Sequence, residues 1–398
     1  MNRRELLAGL IPLAANAALP PVRPITKGPA YHWFGYYDKR QFDPTSRYAL
    51  GVENTFQHRL PTKDDFLKFG MVDTASGDRW IELGESRSWS WHQTCMLQWL
   101  PGSPDEVIWN NRVDGKLVSQ VVNVKTRQKR MLPKPIYCLA PDARFALVND
   151  FARSFTMRPE TGYAGVPDPN VGDLAPANSG VWRMDMATGK HDLIISLADV
   201  VKIPLTQGDW KGAKHYFDHL LIAPGGKHFI FFQRWGMGPG MGFKTRMFVA
   251  GVDGKNPRVL DDSGQSSHYI WHGSNEVLIW TAHPSHQENF YLVDIATGKF
   301  KLYSKQMNKN GHISFLPGNR WLVGDRKVQG KWEQYLYDTS ADRIVSLGTF
   351  ADPPEYKGYW RCDTTPRFSP DSHKIVFDSP QAGNGRQMYL IDISGIVK

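Results

Sequence analysis

The sequence has few cysteines, and it lacks the patterns of several common protein classes. Its three cysteines, Cys95, Cys138 and Cys362, are an odd number and exclude a disulfide framework. The chain has no CxxC spacing of the kind found in preformed zinc sites. No long amphipathic helical pattern follows residue 20, and no apolar run is long enough to span a membrane. These absences favour an all-β chain without a membrane span.

Positive charge is in excess but is not clustered. Lys and Arg outnumber Asp and Glu by 48 to 39, which gives a formal net charge of +9. No run of basic residues has the form of a nucleic-acid-binding stripe, so we expect no nucleic-acid partner. A distributed basic surface attracts anionic ligands, and an acidic glycan is the partner we expect, although the excess could also serve solubility alone.

One hairpin pattern recurs along the whole chain. In His219 to Trp235, two apolar runs of strand length flank the turn residues Pro224, Gly225 and Gly226. Six other segments have the same order of apolar strand, turn and apolar strand: 42–50, 97–109, 137–147, 269–280, 312–323 and 366–377.

A second hairpin follows most of these copies, with Asp, Thr, Ser or Gly in its turn. Examples lie at 71–78, 182–190, 291–299 and 335–343. Two hairpins make a four-stranded sheet, and seven such sheets in one chain predict a seven-bladed β-propeller. The 14 Trp, 15 Tyr and 20 Phe, with 36 Gly and 27 Pro, suit short strands joined by turns. We therefore expect residues 18–398 to form one propeller domain, as a monomer.

The N-terminus resembles a targeting segment. Arg3 and Arg4 precede a short apolar run that ends in Ala15-Asn16-Ala17, which is the order found in an export signal. The paired arginines are similar to a twin-arginine signal, although Pro12 leaves an ordinary secretory peptide open. Residues 1–17 thus predict export, to the periplasm or out of the cell.

Function in a propeller lies at one end of the central channel, where the inner strands and connecting loops of all blades converge. The polar residues that flank the hairpins are rich in His, Arg and Tyr. They include His32, Tyr36, Tyr37, Asp38, His92, Gln93, Asn110, Asn111, Arg112, Asp150, Arg153, Arg158, Tyr163, Arg183, His215, His219, Gln233, Arg234, His268, His312, Asp325, Cys362 and Asp363.

Several short motifs resemble those of the seven-bladed polysaccharide lyases, among them the β-propeller ulvan lyases and, more distantly, oligogalacturonate lyase. These motifs are His32 to Lys39, Cys95 to Gly102, Asp150 to Arg153 with Arg158-Pro159 and Gly162-Tyr163, Gly180 to Asp185, Phe231 to Trp235, and Arg361 to Asp371. The resemblance implies β-elimination on a uronate-containing, ulvan-like polysaccharide.

This reaction requires a cation that binds the uronate carboxylate, a base that removes the C5 proton and an acid that protonates the leaving oxygen. The resemblance implies that His92 and Tyr163 are the proton-transfer pair and that Arg183 neutralises the carboxylate. It leaves open which of His92 and Tyr163 is the base. The residues Asn111, His219, Gln233 and Arg234 are expected to bind the sugar. Each of these residues also has a structural alternative, as a strand residue, a loop cap or an ion pair.

A metal site is the remaining expectation. His268, His312, Asp325 and Cys362 come from three consecutive blades and would suit a tetrahedral zinc ion. The resemblance adds that propeller lyases carry a structural zinc or a catalytic manganese in this part of the ring. The thiol of Cys362 favours zinc over manganese or calcium, and no organic cofactor is expected. The alternative is that all four are ordinary strand-end residues.

Other classes have less support. The absence of a G-x-S-x-G elbow argues against a propeller peptidase. A glycoside hydrolase needs two facing carboxylates, which Asp38, Asp150 and Asp325 leave open. The main rival is a non-catalytic propeller that binds a glycan or a protein in the cell envelope.

Overall fold

The computed structural model describes residues 19–206 and 208–397. The predicted export signal at 1–17, with the domain boundary at residue 18, lies outside these ranges. In the described part of the chain, no helix has the length and hydropathy needed to cross a bilayer.

Seven four-stranded antiparallel sheets confirm the predicted seven-bladed β-propeller. In each of the first six blades the chain runs from the inner strand outward. The first three blades consist of β2 (Tyr31–Trp33), β3 (Tyr48–Asn54), β4 (Leu67–Asp73) and β5 (Arg79–Ser86); β6 (Gln98–Trp99), β7 (Glu106–Val113), β8 (Lys116–Asn123) and β9 (Lys129–Leu132); and β10 (Cys138–Leu139), β11 (Phe145–Val148), β12 (Gly180–Asp185) and β13 (His191–Ser196).

The next three blades repeat this order. They consist of β14 (Lys214–Ile222), β15 (His228–Gly236), β16 (Lys244–Gly251) and β17 (Arg258–Gly264); β18 (Tyr269–His272), β19 (Glu276–His283), β20 (Gln287–Asp294) and β21 (Phe300–Leu302); and β22 (Ile313–Phe315), β23 (Trp321–Val328), β24 (Lys331–Asp338) and β25 (Arg343–Phe350). The predicted hairpins correspond to the inner and outer strand pairs of these sheets.

The seventh blade closes the ring with strands from both ends of the chain. It contains β26 (Arg367–Phe368), β27 (Lys374–Ser379) and β28 (Gln387–Asp392), and its fourth strand is β1 (Val22–Pro24). Val22 lies opposite Ile391, and Pro24 lies opposite Tyr389. The hairpin pattern did not predict this closure, because a three-residue strand has no measurable periodicity.

The described helices are short and lie in connections between strands: α1 (Phe151–Met157), α2 (Leu197–Val200) and a 3-10 turn (Gly358–Trp360). Helix α1 begins an insertion, residues 149–179, between β11 and β12. The buried Arg153 side chain holds this insertion through Asp168 and the backbone oxygens of Asn170, Asp173 and Leu174. The insertion is thereby fixed beside the channel.

Two cavities lie at opposite ends of the inner strands. The wide cavity, about 1050 Å³, is lined by the turns that follow the inner strands, including Pro101, Pro141 and Pro317. The polar cavity, about 460 Å³, is lined at the other end by residues that precede several inner strands, such as His92, His268 and Asp363, and by residues of neighbouring strands and loops. The irregular segment 34–41 of the first blade contributes Tyr36 to the polar cavity and Tyr37 to the wide one.

Candidate functional site

All seven blades or the loops that enter them contribute to the polar cavity. The ionisable and phenolic side chains that line it are Tyr36, His92, Arg158, His219, Arg234, Lys244, His268, Glu288, His312, Arg361 and Asp363. Four of these are permanent cations and two are carboxylates. Because one of the carboxylates, Asp363, is already paired with Arg361 (3.0 Å), the cavity is suited to an anionic ligand.

His92 stands before β6 and carries an unsatisfied atom. Its Nε2 is buried and has no hydrogen-bond partner among the described residues. Burial, reinforced by the charge of Arg361, lowers the pKa of His92 well below 6.5. The imidazole is therefore neutral at neutral pH, and a buried polar atom without a partner indicates a place for a ligand or a reacting proton.

His312 has the opposite electrostatic setting. Its Nδ1 lies 3.0 Å from Asp325 Oδ2, while its Nε2 is buried without a partner in the described part of the chain. Burial alone would lower the pKa of His312, but the Asp325 carboxylate outweighs burial and raises it. Asp325 is itself held by Thr364 Oγ1 (2.7 Å) and Thr365 N (2.9 Å), so the pair links blades six and seven.

His268 lies against His312, with ring centroids 4.2 Å apart. Its Nδ1 is hydrogen-bonded with Asn310 Oδ1 at 2.9 Å. Burial, followed by the neighbouring His312, lowers the pKa of His268 well below its ordinary value. His268 is thus a neutral companion of a more basic imidazole.

Asp218 organises the side of the cavity formed by blade four. Its carboxylate accepts from Arg234 Nη1 (2.6 Å) and Arg158 Nη1 (3.3 Å), and it lies 3.0 Å from His219 Nδ1. Burial would raise the pKa of Asp218, but the hydrogen bond with His219 and the charge of Arg234 hold it well below its usual range. Burial also lowers the pKa of His219 to about 4, so this imidazole is neutral. Its Nε2 is hydrogen-bonded with the Tyr36 hydroxyl at 2.5 Å.

Arg361 and Asp363 reach the cavity from the segment before β26. Burial would raise the pKa of Asp363, but the charge of Arg361, followed by His92, holds it well below its usual value. Both hydrogen bonds from Arg361 to Asp363 come from Nε, at 3.0 and 3.1 Å. This geometry leaves the two terminal nitrogens of the guanidinium for a ligand.

Comparison with known proteins supports this fold. No protein-family model matches the chain, and no curated protein matches it in sequence. A structure of oligogalacturonate lyase in complex with manganese is 15% identical, with a TM-score of 0.67, over 94% of this chain and 93% of that one. An oligogalacturonate lyase from Vibrio parahaemolyticus is 13% identical, with a TM-score of 0.64, over 95% and 94% of the two chains.

A puromycin-hydrolyzing peptidase from Mycobacterium tuberculosis is 13% identical, with a TM-score of 0.51, over 93% of this chain and 55% of that chain. At such identities the likeness concerns the fold alone.

The expectation that His92, Tyr163 and Arg183 meet at one cavity is wrong. Only His92 lines it. Tyr163 is fully buried in the core, where its ring stacks on Phe151 (4.2 Å) and its hydroxyl accepts from Asn110 Nδ2 (2.9 Å). Burial raises the pKa of this hydroxyl well above 10.

Arg183 is exposed on β12, the third strand of its blade, over the ring of Phe145 at 4.2 Å. The Arg183 side chain does not line the polar cavity. The structural alternative therefore fits both Tyr163 and Arg183.

Two of the four residues expected to bind sugar line the polar cavity, namely His219 and Arg234. Asn111 does not, because its side chain is hydrogen-bonded to Gln120 and to the backbone of Arg87 and Arg112. Gln233 is fully buried and accepts from Arg246 Nε at 2.6 Å. On a strand, neighbouring side chains point to opposite faces, which explains why Arg234 reaches the cavity and Gln233 does not.

The predicted zinc site does not form from His268, His312, Asp325 and Cys362. Asp325 lies behind His312, and Cys362 is a buried free thiol whose pKa burial raises to about 12. The cavity is instead lined by Arg361 and Asp363, on either side of Cys362. Across residues 19–206 and 208–397, no three His, Cys, Asp or Glu side chains are grouped closely enough to hold a metal ion.

The sequence assigns no individual role to four residues that line the cavity. Tyr36, Arg158 and Asp363 flank the hairpins, and Arg361 lies in a lyase-like motif, but no role was assigned to any of them. The alternation of side chains along an extended segment could have identified two of them. Arg361 and Asp363 lie on one face of such a segment, and Cys362 lies on the other. Arg158 lies in the insertion, whose path the hairpin pattern does not determine.

Proposed function

We propose that this protein is a lyase that cleaves a uronate-containing oligosaccharide by β-elimination in the polar cavity, with oligogalacturonate rather than ulvan as its substrate class. The observation that carries the proposal is the pair His92 and His312. Both line one cavity, both have a buried, unpartnered Nε2, and their environments move their pKa values in opposite directions. Such a separation is typical of an acid and base pair.

The choice of substrate class rests on the fold. Two neighbours that match this chain over almost its full length, with TM-scores of 0.67 and 0.64, are oligogalacturonate lyases, and neither is named as an ulvan lyase. The cationic lining of the polar cavity agrees with an acidic sugar of either class.

In this proposal Arg361 binds the uronate carboxylate through its free terminal nitrogens. Charge develops on the carboxylate as the C5 proton leaves, and a positioned guanidinium stabilises that charge more in the transition state than in the ground state. Arg158 and Arg234 are held by Asp218 and keep the opposite wall positive.

Neutral His92 removes the C5 proton through Nε2. His312, whose pKa the Asp325 carboxylate raises, is the acid and donates from Nε2 to the leaving glycosidic oxygen. The reverse assignment is less favourable, because the imidazole with the lower pKa is deprotonated over more of the pH range. Tyr36 and neutral His219 line the same cavity and provide hydrogen bonds for sugar hydroxyls.

The manganese of one neighbour does not transfer directly to this chain. His268 and His312 are adjacent imidazoles, but among the described residues they belong to no group of three His, Cys, Asp or Glu side chains that could hold a metal ion, and the reaction is therefore assigned to side chains. Activity should therefore be compared after dialysis against a chelator and again after manganese is added back. Survival of the activity in chelator agrees with the side-chain mechanism, and complete loss that manganese restores would contradict it.

The direct test is ultraviolet absorbance during incubation with oligogalacturonate and, separately, with ulvan. Elimination creates a C4–C5 double bond conjugated with the carboxylate, whereas hydrolysis does not. We expect the signal with oligogalacturonate. Binding without absorbance would favour the non-catalytic glycan-binding propeller, and a faster reaction with ulvan would favour the ulvan lyase alternative.

The cellular location remains a proposal from the sequence. The pattern at residues 1–17 supports export to the periplasm or the medium. Fractionation of cells that produce the full chain would test it, since recovery only in the cytoplasm would contradict export.

A further inference from the structure

A small side pocket of about 130 Å³ adjoins the polar cavity. Arg158 and Phe243 line both spaces. The other walls of the side pocket are formed by Met157, Glu160, Tyr216, Tyr359 and four glycines of the loop between β15 and β16. A sugar bound at the arginines would therefore have its neighbour close to this pocket.

Two buried polar atoms of the side pocket's lining residues have no partner. They are Glu160 Oε2 and the Tyr216 hydroxyl oxygen, which make no hydrogen bond with any described residue. The other carboxylate oxygen of Glu160 accepts from Arg158 Nε at 2.8 Å, so the side chain is held in place. Leaving such groups unsatisfied costs about 1–3 kcal/mol each. Both residues are more than nine-tenths buried, so a bound molecule rather than bulk water would supply the missing hydrogen bonds.

The loop over the side pocket has a glycine at every second position. Gly236, Gly238, Gly240 and Gly242 line the pocket, while Met237 and Met241 between them are 59% and 70% exposed. A Cβ atom at Gly238 or Gly242 would meet no atom within 4 Å, so the pocket wall there is bare backbone. The alternation keeps side chains out of this space.

Phe243 ends this loop and forms the partition between the two spaces. Its ring lies 4.7 Å from the Arg234 guanidinium and 5.0 Å from that of Arg158. The ring is 44% exposed and offers an apolar face against which the C–H face of a sugar can pack. An aromatic wall beside polar acceptors is the usual chemistry of a sugar subsite.

We propose that the side pocket is a subsite for free hydroxyl groups of the sugar that adjoins the uronate in the polar cavity, and that it rejects sulfated sugars. Glu160 accepts a hydrogen bond from a hydroxyl, and Tyr216 either donates or accepts one. A sulfate ester at the same position would bring an anion against the Glu160 carboxylate and exceed the space. This assignment rests on the proposed function, and it gives the preference for unsulfated substrates a structural basis.

The test is calorimetric binding to full-length protein that carries His92→Ala, so that no ligand is consumed. The probes are galacturonate, tri-galacturonate and chemically O-sulfated tri-galacturonate. We expect tri-galacturonate to bind at least about tenfold more tightly than its sulfated form. Adding Tyr216→Phe should weaken the binding of tri-galacturonate about five- to tenfold, which is the effect of one hydrogen bond. The affinity for galacturonate should stay unchanged.

Two further variants sharpen the test. Glu160→Gln keeps a hydrogen-bond acceptor but removes the negative charge. It should therefore reduce the difference in affinity between the sulfated and unsulfated trisaccharides. Met241→Ala, on the outward face of the same loop, is the control and should change no affinity.

Equal binding of the two trisaccharides by the protein with native Glu160, or equal weakening of mono- and trisaccharide by Tyr216→Phe, would overturn the subsite. Absence of trisaccharide binding would also overturn it. If the affinities follow the expected pattern while native protein gives no ultraviolet product, the subsite stands and the elimination proposal alone fails.

Discussion

The two ends of the channel differ in what they repeat. At the wide cavity the same kind of residue returns from blade to blade: Pro44, Pro101, Pro141, Pro224, Pro317 and Pro370 all line it, and Gly273 takes the place in blade five. At the polar cavity no residue type is shared by all blades, and His, Arg, Asp and Tyr converge from different ones.

The difference separates the parts of this chain that build the ring from the parts that we propose act on a ligand. A turn must reverse the chain in every blade, so Pro and Gly recur there for the same backbone reason. The residues that line the polar cavity have no such common task. Their departure from the repeat leaves buried, unsatisfied imidazole nitrogens, which folding alone would not favour.

The strongest test of this comparison is a matched pair of histidine substitutions. His92→Ala removes the proposed base at the polar end and should lower kcat by about a hundredfold or more, measured by ultraviolet absorbance with oligogalacturonate. His272→Ala, at the turn end of blade five, should leave kcat within about twofold of the native value. Comparable losses in both variants would remove the distinction between the two ends.

A matched pair of arginines should give the next largest effect. Arg361→Ala removes the proposed carboxylate clamp and should lower kcat/KM by about a hundredfold, whereas Arg361→Lys should recover part of the loss because charge remains without the planar fork. Arg40→Ala, on the wide cavity, is the control and should be near neutral. If only Arg40→Ala lowered kcat/KM, the substrate would bind in the wide cavity and not in the polar one.

The pH dependence of kcat/KM should be bell-shaped. Activity rises as His92 loses its proton, at a pH well below 6.5 because burial lowers its pKa, and falls as His312 loses its proton, above 6.5 because Asp325 raises its pKa. Asp325→Asn removes that carboxylate, so the alkaline limb should move to lower pH while the acid limb stays. An unchanged alkaline limb in a folded variant would exclude His312 as the acid.

Tyr163→Phe should have the smallest effect on activity, because its hydroxyl lies in the core rather than at the polar cavity. Loss of the bond to Asn110 leaves a buried donor unpaired and should lower the free energy of unfolding by about 1–2 kcal/mol. Denaturant titration measures that change, and the absorbance assay should show kcat within about twofold. A large loss of kcat at unchanged stability would restore Tyr163 to the mechanism.

The fold could be predicted from the sequence because the same hairpin pattern occurs in it seven times. Each hairpin shows its apolar strands and its Pro or Gly turn within about a dozen residues, and these local signals agree with one another. The exception is β1, which is too short to carry a pattern and pairs with β28 from the far end of the chain.

The site could be predicted only in part, because its members follow no common spacing. His92, His219, Arg234, His268 and His312 were recognised as polar residues beside a hairpin. Tyr163 was predicted at the site, but the insertion of blade three folds its ring into the core. Cys362 was predicted as a metal ligand, but its side chain alternates with those of Arg361 and Asp363 and lies on the other face of the segment. Which face a side chain takes outside a regular strand depends on contacts that are distant in sequence.

The most direct test of the account is a crystal structure of the His92→Ala protein with tri-galacturonate. We predict a uronate in the polar cavity, with its carboxylate on the terminal nitrogens of Arg361 and its glycosidic oxygen within hydrogen-bond distance of His312 Nε2. A trisaccharide seated in the wide cavity, or on the outer surface of the blades, would contradict it.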